Sequence, residues 1–327
     1  MNKHFRGYTL LICAVLLLSA CGSTGNTDSV PTASAATTES ASATPSPDAP
    51  TASSFMDDFG HQVNFNTNPE RVLAPYMEDA LVTLGVTPVA KYSAGGTVQE
   101  HLEPWLADLP TIDLMSGLSP EAALSFEPEL IMISSHFLPA ENYETISKVA
   151  PAYLFNGDAM DWRAQLRKVA ELLGKEDVAD QKLTEYEAKI SEVKEQLSTV
   201  TEGKTIAIVW PSDKEFYLVG SDFLSGKLIY GELGLPAHEL SNLTPDNFGS
   251  ISFEKLPELD AAELFVITPE GQSEEQVNQM LDGLPLWKSL PAVKNGRVHH
   301  VSSGHWINSA YMANLAVMQD LTEALLQ

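Results

Sequence analysis

The chain has 327 residues, 44 of them acidic and 19 basic, for a formal net charge of −25. Such a balance excludes nucleic-acid binding, which needs a basic footprint to neutralise phosphates. The only cysteines are Cys13 and Cys21, so no disulfide or cysteine-ligated zinc supports the later chain, and a hydrophobic core must hold it.

The N-terminus starts basic, with Lys3 and Arg6, and runs through an apolar stretch from Leu10 to Leu18 into Leu18-Ser19-Ala20-Cys21. This is the layout of a signal peptide. The apolar stretch falls short of the roughly 20 residues a membrane span needs. Small residues before Cys21 form a lipobox, so residues 1–20 are expected to be removed and Cys21 to carry lipid at the outer face of the cytoplasmic membrane. Loss of Lys3 and Arg6 with the leader makes the mature chain more acidic still. Residues 22–54 are almost entirely Ser, Thr, Ala, Pro and Gly. That composition cannot build a core, so residues 21–54 read as a lipidated Cys followed by a disordered tether.

Beyond the tether, short apolar runs alternate with amphipathic stretches. Strands are expected over 71–74, 88–91, 129–134 and 152–155, with helices near 77–84, 119–126 and 140–149. The alternation resumes with strands over 205–209, 216–219, 264–268 and 297–301, and helices near 224–233, 273–283 and 310–326. Each half predicts an α/β unit on a mostly parallel sheet. Between them one long helical segment is expected over 161–198, with Leu183, Tyr186, Ile190, Val193 and Leu197 along one face. Fewer than three heptads argue against a coiled coil. The fold class is therefore α/β: an N-terminal lobe over 55–160, a bridging helix over 161–198 and a C-terminal lobe over 199–327, Rossmann-like in both lobes, with a cleft between them at the carboxyl ends of the strands.

Several strings carry a family resemblance. They are Phe59-Gly60-His61-Gln62-Val63 with Asn68-Pro69-Glu70-Arg71-Val72; Ala80-Leu81-Val82-Thr83-Leu84-Gly85; Ser119-Pro120-Glu121 with Glu127-Pro128-Glu129-Leu130-Ile131; Leu233-Gly234-Leu235; Ile251-Ser252-Phe253-Glu254-Lys255-Leu256; and Pro285-Leu286-Trp287-Lys288-Ser289-Leu290-Pro291-Ala292-Val293. In this order they resemble the iron-siderophore and cobalamin class of substrate-binding proteins that serve ABC importers. The resemblance covers nearly everything from Asp58 to Leu326. It implies a monomer with no cofactor of its own that captures a ferric chelate whole, closes only modestly, and docks on a membrane permease. Glu121 and Glu254 match the family's docking carboxylates, one per lobe.

Loops after strands supply the candidate ligand residues. These are Tyr76, Lys91, Tyr92, Met115, Ser116, His136 and Phe137 in the first lobe, and Trp210, Tyr217, Phe223, Phe248 and Trp306 in the second, with Asn247 beside Phe248. Trp306, after Ser302-Ser303-Gly304, is the foremost candidate, because a large ring in such a loop is costly unless something covers it. Basic residues near these loops are few, chiefly Lys91 and Lys214. A ferric tris-catecholate carries about three negative charges, and burying them without partners would cost several kcal/mol each. A hydroxamate or mixed citrate-hydroxamate chelate is therefore favoured over catecholate, ferric citrate, haem or cobalamin. One departure is Met115, where hydroxamate binders of the family often place arginine. His136 and Met115 are the residue types that would serve haem. His299 and His300 are strand neighbours facing opposite sides and cannot share one ion. Gly-x-Ser-x-Gly, Walker, dinucleotide and His-Glu-x-x-His signatures do not occur, so an enzyme is not expected.

Overall fold

The computed structural model describes residues 52–157, 161–243 and 248–326. The leader, Cys21, most of the expected tether and Asn247 lie outside the described residues. The tether stops earlier than expected, because Ser53 and Ser54 already belong to a hairpin. Its strands are β1 (Ala52–Met56) and β2 (Gln62–Asn66), paired antiparallel with Ser53 opposite Phe65. Val63 and Phe65 turn inward between exposed neighbours, the two-residue period of a half-buried strand.

The first lobe continues through β3 (Val72–Leu73), α1 (Glu78–Thr83), β4 (Lys91–Ser93), α2 (Glu103–Leu106), β5 (Thr111–Asp113), α3 (Pro120–Ser125), β6 (Leu130–Ser134), α4 (Tyr143–Ile146) and β7 (Ala152–Phe155). The order β3-β6-β7 is parallel throughout, as is the pair β4-β5. The N–H of Val89 donates to the Val72 carbonyl at 2.9 Å, tying the approach to β4 to the edge of β3. β5, only three residues long, is too short to read from periodicity. The strand expected over 88–91 instead runs from Lys91 to Ser93.

The bridge is two helices, not one rod. α5 (Trp162–Leu173) ends at Gly174, whose φ of 61° is left-handed, and α6 (Glu176–Ser198) then runs 23 residues. Glycine adopts that conformation without steric cost, so it ends α5 and redirects the chain. At 1.5 Å per residue α6 alone spans about 35 Å. Its buried stripe contains the expected Leu183, Tyr186, Ile190, Val193 and Leu197. Arg163 ties the bridge to the second lobe: it donates to both Glu232 carboxylate oxygens, at 2.9 and 2.8 Å, and lies over the Trp162 and Tyr186 rings.

The second lobe comprises β8 (Ile206–Pro211), β9 (Glu215–Val219), β10 (Phe248–Ser252), β11 (Glu263–Thr268), α7 (Glu274–Asp282), α8 (Pro291–Lys294), β12 (Val298–Ser302), α9 (Ser303–Trp306) and α10 (Tyr311–Leu325). Its sheet order is β10-β9-β8-β11-β12. β8, β11 and β12 are parallel, but β9 and β10 are antiparallel, so this sheet is mixed. The cause is local: only Ser212, Asp213 and Lys214 separate β8 from β9, too few for a parallel crossover.

Side-chain alternation divides the core in three. Ile131, Ile133 and Leu154 face an outer core of the first lobe, and Ala207, Val209, Leu264 and Val266 face an outer core of the second. Their strand neighbours Leu130, Met132, Tyr153, Phe155, Ile206, Ile208, Phe265 and Ile267 turn into one core shared by both lobes, α5, α6 and α10. Although its sequence belongs to the second half, α10 packs on α6 and on α1 of the first lobe. The lobes are therefore joined by shared apolar burial as well as by the bridge, which limits hinge opening.

Candidate ligand-binding cleft

Between the lobes is a cavity of about 550 Å³. The first lobe contributes Tyr76, His136 and Phe137, the start of α5 contributes Asp161 and Trp162, and the second lobe contributes Phe223, Leu224, Lys227 and Asn308. The first-lobe residues follow the carboxyl ends of β3 and β6, where an α/β sheet opens its crevice. Phe223 lies in the loop after β9, and Asn308 lies between α9 and α10. Tyr76 and Leu224, facing the cavity from opposite lobes, are both left-handed at φ 67° and 48°. For residues with side chains this costs about 1–3 kcal/mol each and concentrates at functional sites. Gly157 is required by proximity: a Cβ there would lie 2.5 Å from Ser134 Oγ and 2.8 Å from His136 Nδ1.

Two aromatic groups flank the cleft, and Tyr76, Phe137 and Phe223 of them line it. In the first lobe Tyr76, Tyr92 and Phe137 form a triangle with centroids 5.0, 5.3 and 5.7 Å apart. In the second, Phe248 gathers Phe223, Trp210 and Tyr217 at 4.9, 5.6 and 6.2 Å. These tilted and edge-to-face arrangements fix the rings before any ligand arrives. Polar contacts cross the floor: the Tyr76 hydroxyl donates to Asn308 Oδ1 at 3.3 Å, and Gln99 Nε2 donates to the same oxygen at 3.4 Å.

The electrostatics are acidic. Asp161 and Asp222 line the cavity against one cation, Lys227, among the described residues. Asp79 also borders it, but its carboxylate is taken up by the N–H groups of Met312 and Ala313 at 2.9 and 3.0 Å and by His101 Nε2 at 3.1 Å. Burial pushes the Glu78 carboxyl up to about 8. Its Oε2 is buried without a hydrogen-bond partner, an environment that favours the neutral acid. Burial likewise raises the Tyr76 and Tyr92 hydroxyls, with ionised Glu78 opposing their loss of a proton.

The sequence profile of the periplasmic binding protein family matches residues 78–303. The chain belongs to that family. Over 320 residues it is 26% identical to the probable siderophore-binding lipoprotein YfiY of Bacillus subtilis, covering 94% of this chain and 93% of that one. It is 31% identical over 188 residues to the iron(3+)-hydroxamate-binding protein FhuD of the same organism, covering 56% and 58% of the two chains. Among solved structures it resembles a FhuD-fold periplasmic binding protein component of a ferrichrome ABC transporter from Bacillus subtilis. The TM-score is 0.71 at 24% identity, covering 84% of this chain and all of that one. Staphylococcus aureus SirA complexed with staphyloferrin B gives a TM-score of 0.67 at 22% identity, covering 84% and 98%. These likenesses establish the two-lobe binding-protein fold.

Within this periplasmic binding protein, the sequence-derived candidates divide. Tyr76, His136, Phe137 and Phe223 line the cleft, Trp210, Tyr217 and Phe248 line an adjoining cavity, and Tyr92 completes the first-lobe triangle. Trp306 does not belong with them. It is 0% exposed, stacks on Phe265 at 5.0 Å and donates its indole N–H to Asp320 at 2.7 Å. The loop expected to present it is the single turn of α9, which points the ring into the shared core. Lys91 is spent as well: its ammonium donates to both Glu103 carboxylate oxygens, at 2.7 and 3.0 Å, and to the Ala107 carbonyl. Met115 is 69% exposed, and neither it nor Ser116 lines the cleft, so of the two residue types that would serve haem only His136 is at the cleft. His299 and His300 point apart, to Glu263 at 3.0 Å and Asn278 at 2.9 Å. Glu121 and Glu254 are exposed, each second in its helical turn.

Sequence reasoning missed Gln99, Asp161, Trp162, Asp222 and Lys227. Trp162 and Asp161 open α5, which read as part of a strut. Asp222 and Lys227 lie in Gly220-Ser221-Asp222-Phe223-Leu224-Ser225-Gly226-Lys227, and its glycines and serines after a strand were the signal available.

Proposed function

We propose that the protein is the extracytoplasmic, lipid-anchored receptor of an ABC importer, and that its cleft captures a ferric siderophore of hydroxamate or mixed citrate-hydroxamate type. One observation carries the reading: a preformed cleft walled by aromatics from both lobes, in which Asp161 and Asp222 outnumber Lys227. Fe(III) wants about six oxygen ligands, and no group of three or more His, Cys, Asp or Glu among the described residues is placed to hold a metal. The chelate would bring the oxygens, and the protein would recognise its organic shell. A tris-catecholate would set about three negative charges against two carboxylates, at a cost of several kcal/mol per unpaired charge. A neutral or cationic hydroxamate avoids that cost. The names of the hydroxamate-binding and siderophore-binding relatives support the same class.

In this reading Cys21 anchors the protein to the membrane, the monomer needs no cofactor, and Glu121 and Glu254 meet cationic groups on the permease. Tryptophan fluorescence tests ligand capture. A ferric trihydroxamate at micromolar concentration is expected to quench saturably, through Trp162 at the cleft wall. A flat response to hydroxamates alongside a saturable one to ferric tris-catecholate would refute the assignment.

A further inference from the structure

Next to the cleft is a second cavity of about 510 Å³, formed wholly by the second lobe and lined chiefly by Trp210, Pro211, Tyr217, Phe248, Pro269 and Gln272. We propose that it is a subsite for an uncharged alkyl or aryl arm carried by the chelate, so that the cognate ligand is amphiphilic and not a compact chelate alone. This rests on the chelate-binding reading above.

Three observations carry it. The first is continuity. Phe223 lines the cleft, Phe248 lines the second cavity, and their rings meet edge to face at 4.9 Å, so the two spaces adjoin at this pair of rings. Pro269 and Gln272 also border a recess reaching Glu100 of the first lobe. The second cavity therefore opens on the side where the lobes meet, within reach of a ligand held between them.

The second is chemistry. Among the described residues lining it, Asp213 is the one charged side chain, it is exposed, and neither Lys nor Arg is present. A carboxylate entering there would lose its hydration with no cation to replace it. Trp210 and Phe248 are already packed edge to face at 5.6 Å, so an apolar arm meets rings that need no reordering.

The third is what is left uncovered. Tyr217 is 36% exposed at the cavity mouth, although large rings in soluble proteins are usually buried further. The cavity falls within the ~300–1,000 Å³ of ligand pockets, and so does the cleft. The binding face thus holds two ligand-sized spaces of opposite character: one acidic and crossed by polar groups, the other apolar.

The test uses the intact mature protein and three ferric trihydroxamates with one iron-binding core: unsubstituted, bearing an eight-carbon alkyl arm, and bearing the same arm ended in a carboxylate. Calorimetric titration should show the alkyl arm tightening binding at least about tenfold, since each buried CH₂ contributes about 0.8 kcal/mol. The carboxylate-ended arm should lose that gain. Trp210→Ala and Tyr217→Ala should each bring the ratio of armed to unarmed affinity down to about one. Equal affinity for all three chelates in the unaltered protein would overturn the subsite and leave the cleft reading standing. So would equal weakening of armed and unarmed chelates by both substitutions. Failure of all three chelates to bind would overturn both.

Discussion

Asp79, in the first lobe, caps a helix of the second: its carboxylate accepts the main-chain N–H of Ala313 at 3.0 Å, and that of Met312 at 2.9 Å. The helix, Tyr311–Leu325, has no side-chain cap from its own Ala310, so the N–H groups of Met312 and Ala313 in its first turn are satisfied across the lobe boundary. Asp79→Ala is therefore expected to lower unfolding free energy by about 2–3 kcal/mol, by losing a cap and leaving buried donors unpaired. Asp79→Asn should recover part of this. Chemical denaturation measures it, and an unchanged midpoint for Asp79→Ala would show that the cap does not hold the lobes.

Glu78 makes stability depend on pH. Its carboxyl is pushed up to about 8 by burial, against about 4.3 in an unfolded chain. Between those values the folded state holds a proton that the unfolded state has released, so this group's contribution to stability falls as pH rises from about 4.3 to 8. Above pH 8 the carboxylate is charged in both states and the decline levels off. Glu78→Gln should flatten this slope and be more stable than the unaltered protein at pH 8, by about 1–3 kcal/mol. Thermal unfolding between pH 5 and 9 would show it, and parallel curves for the two proteins would contradict it.

Trp306 and Phe137 should separate stability from binding. Trp306→Ala empties a fully buried site and should cost about 3–5 kcal/mol, with ligand affinity kept wherever the protein remains folded. Phe137→Ala removes one ring of the cleft triangle, so affinity should drop about tenfold or more while the loss of stability stays near 1–2 kcal/mol. Calorimetric titration paired with denaturation reads both. Reversal of the two behaviours would return Trp306 to the binding surface.

Permease docking is tested by Glu121→Lys with Glu254→Lys. Both carboxylates are exposed, so the double change should leave folding and chelate affinity within about twofold and abolish uptake of labelled iron chelate by cells. Retained uptake, or lost affinity, would reject their docking role.

Much of the fold was legible because the central strands are apolar on both faces: Leu130–Ser134 and Ala152–Phe155 stand within a residue of where the run of apolar side chains ends. The bridge was legible as helix but not as two helices, since the apolar stripe continues past Gly174 and only its left-handed φ ends the first segment. Trp306 misled because Ser302-Ser303-Gly304 reads as a loop, whereas Ser302 accepts the Gly304 N–H at 3.0 Å and starts a helical turn. Lys91 misled for a different reason. Its partner Glu103 is twelve residues away on another element, and no local pattern joins them. The aromatic rings were found one at a time, while the gathering of the second-lobe rings around Phe248 depends on β9 and β10 pairing antiparallel, which the sequence pattern did not reveal.

Native mass spectrometry of the mature protein against an equimolar mixture of ferric trihydroxamate, ferric tris-catecholate, ferric citrate, haem and cobalamin tests capture and charge selection together. The predicted spectrum has one trihydroxamate per chain as the dominant complex. A dominant tris-catecholate complex, or the free protein alone at micromolar ligand, would contradict the assignment of the cleft.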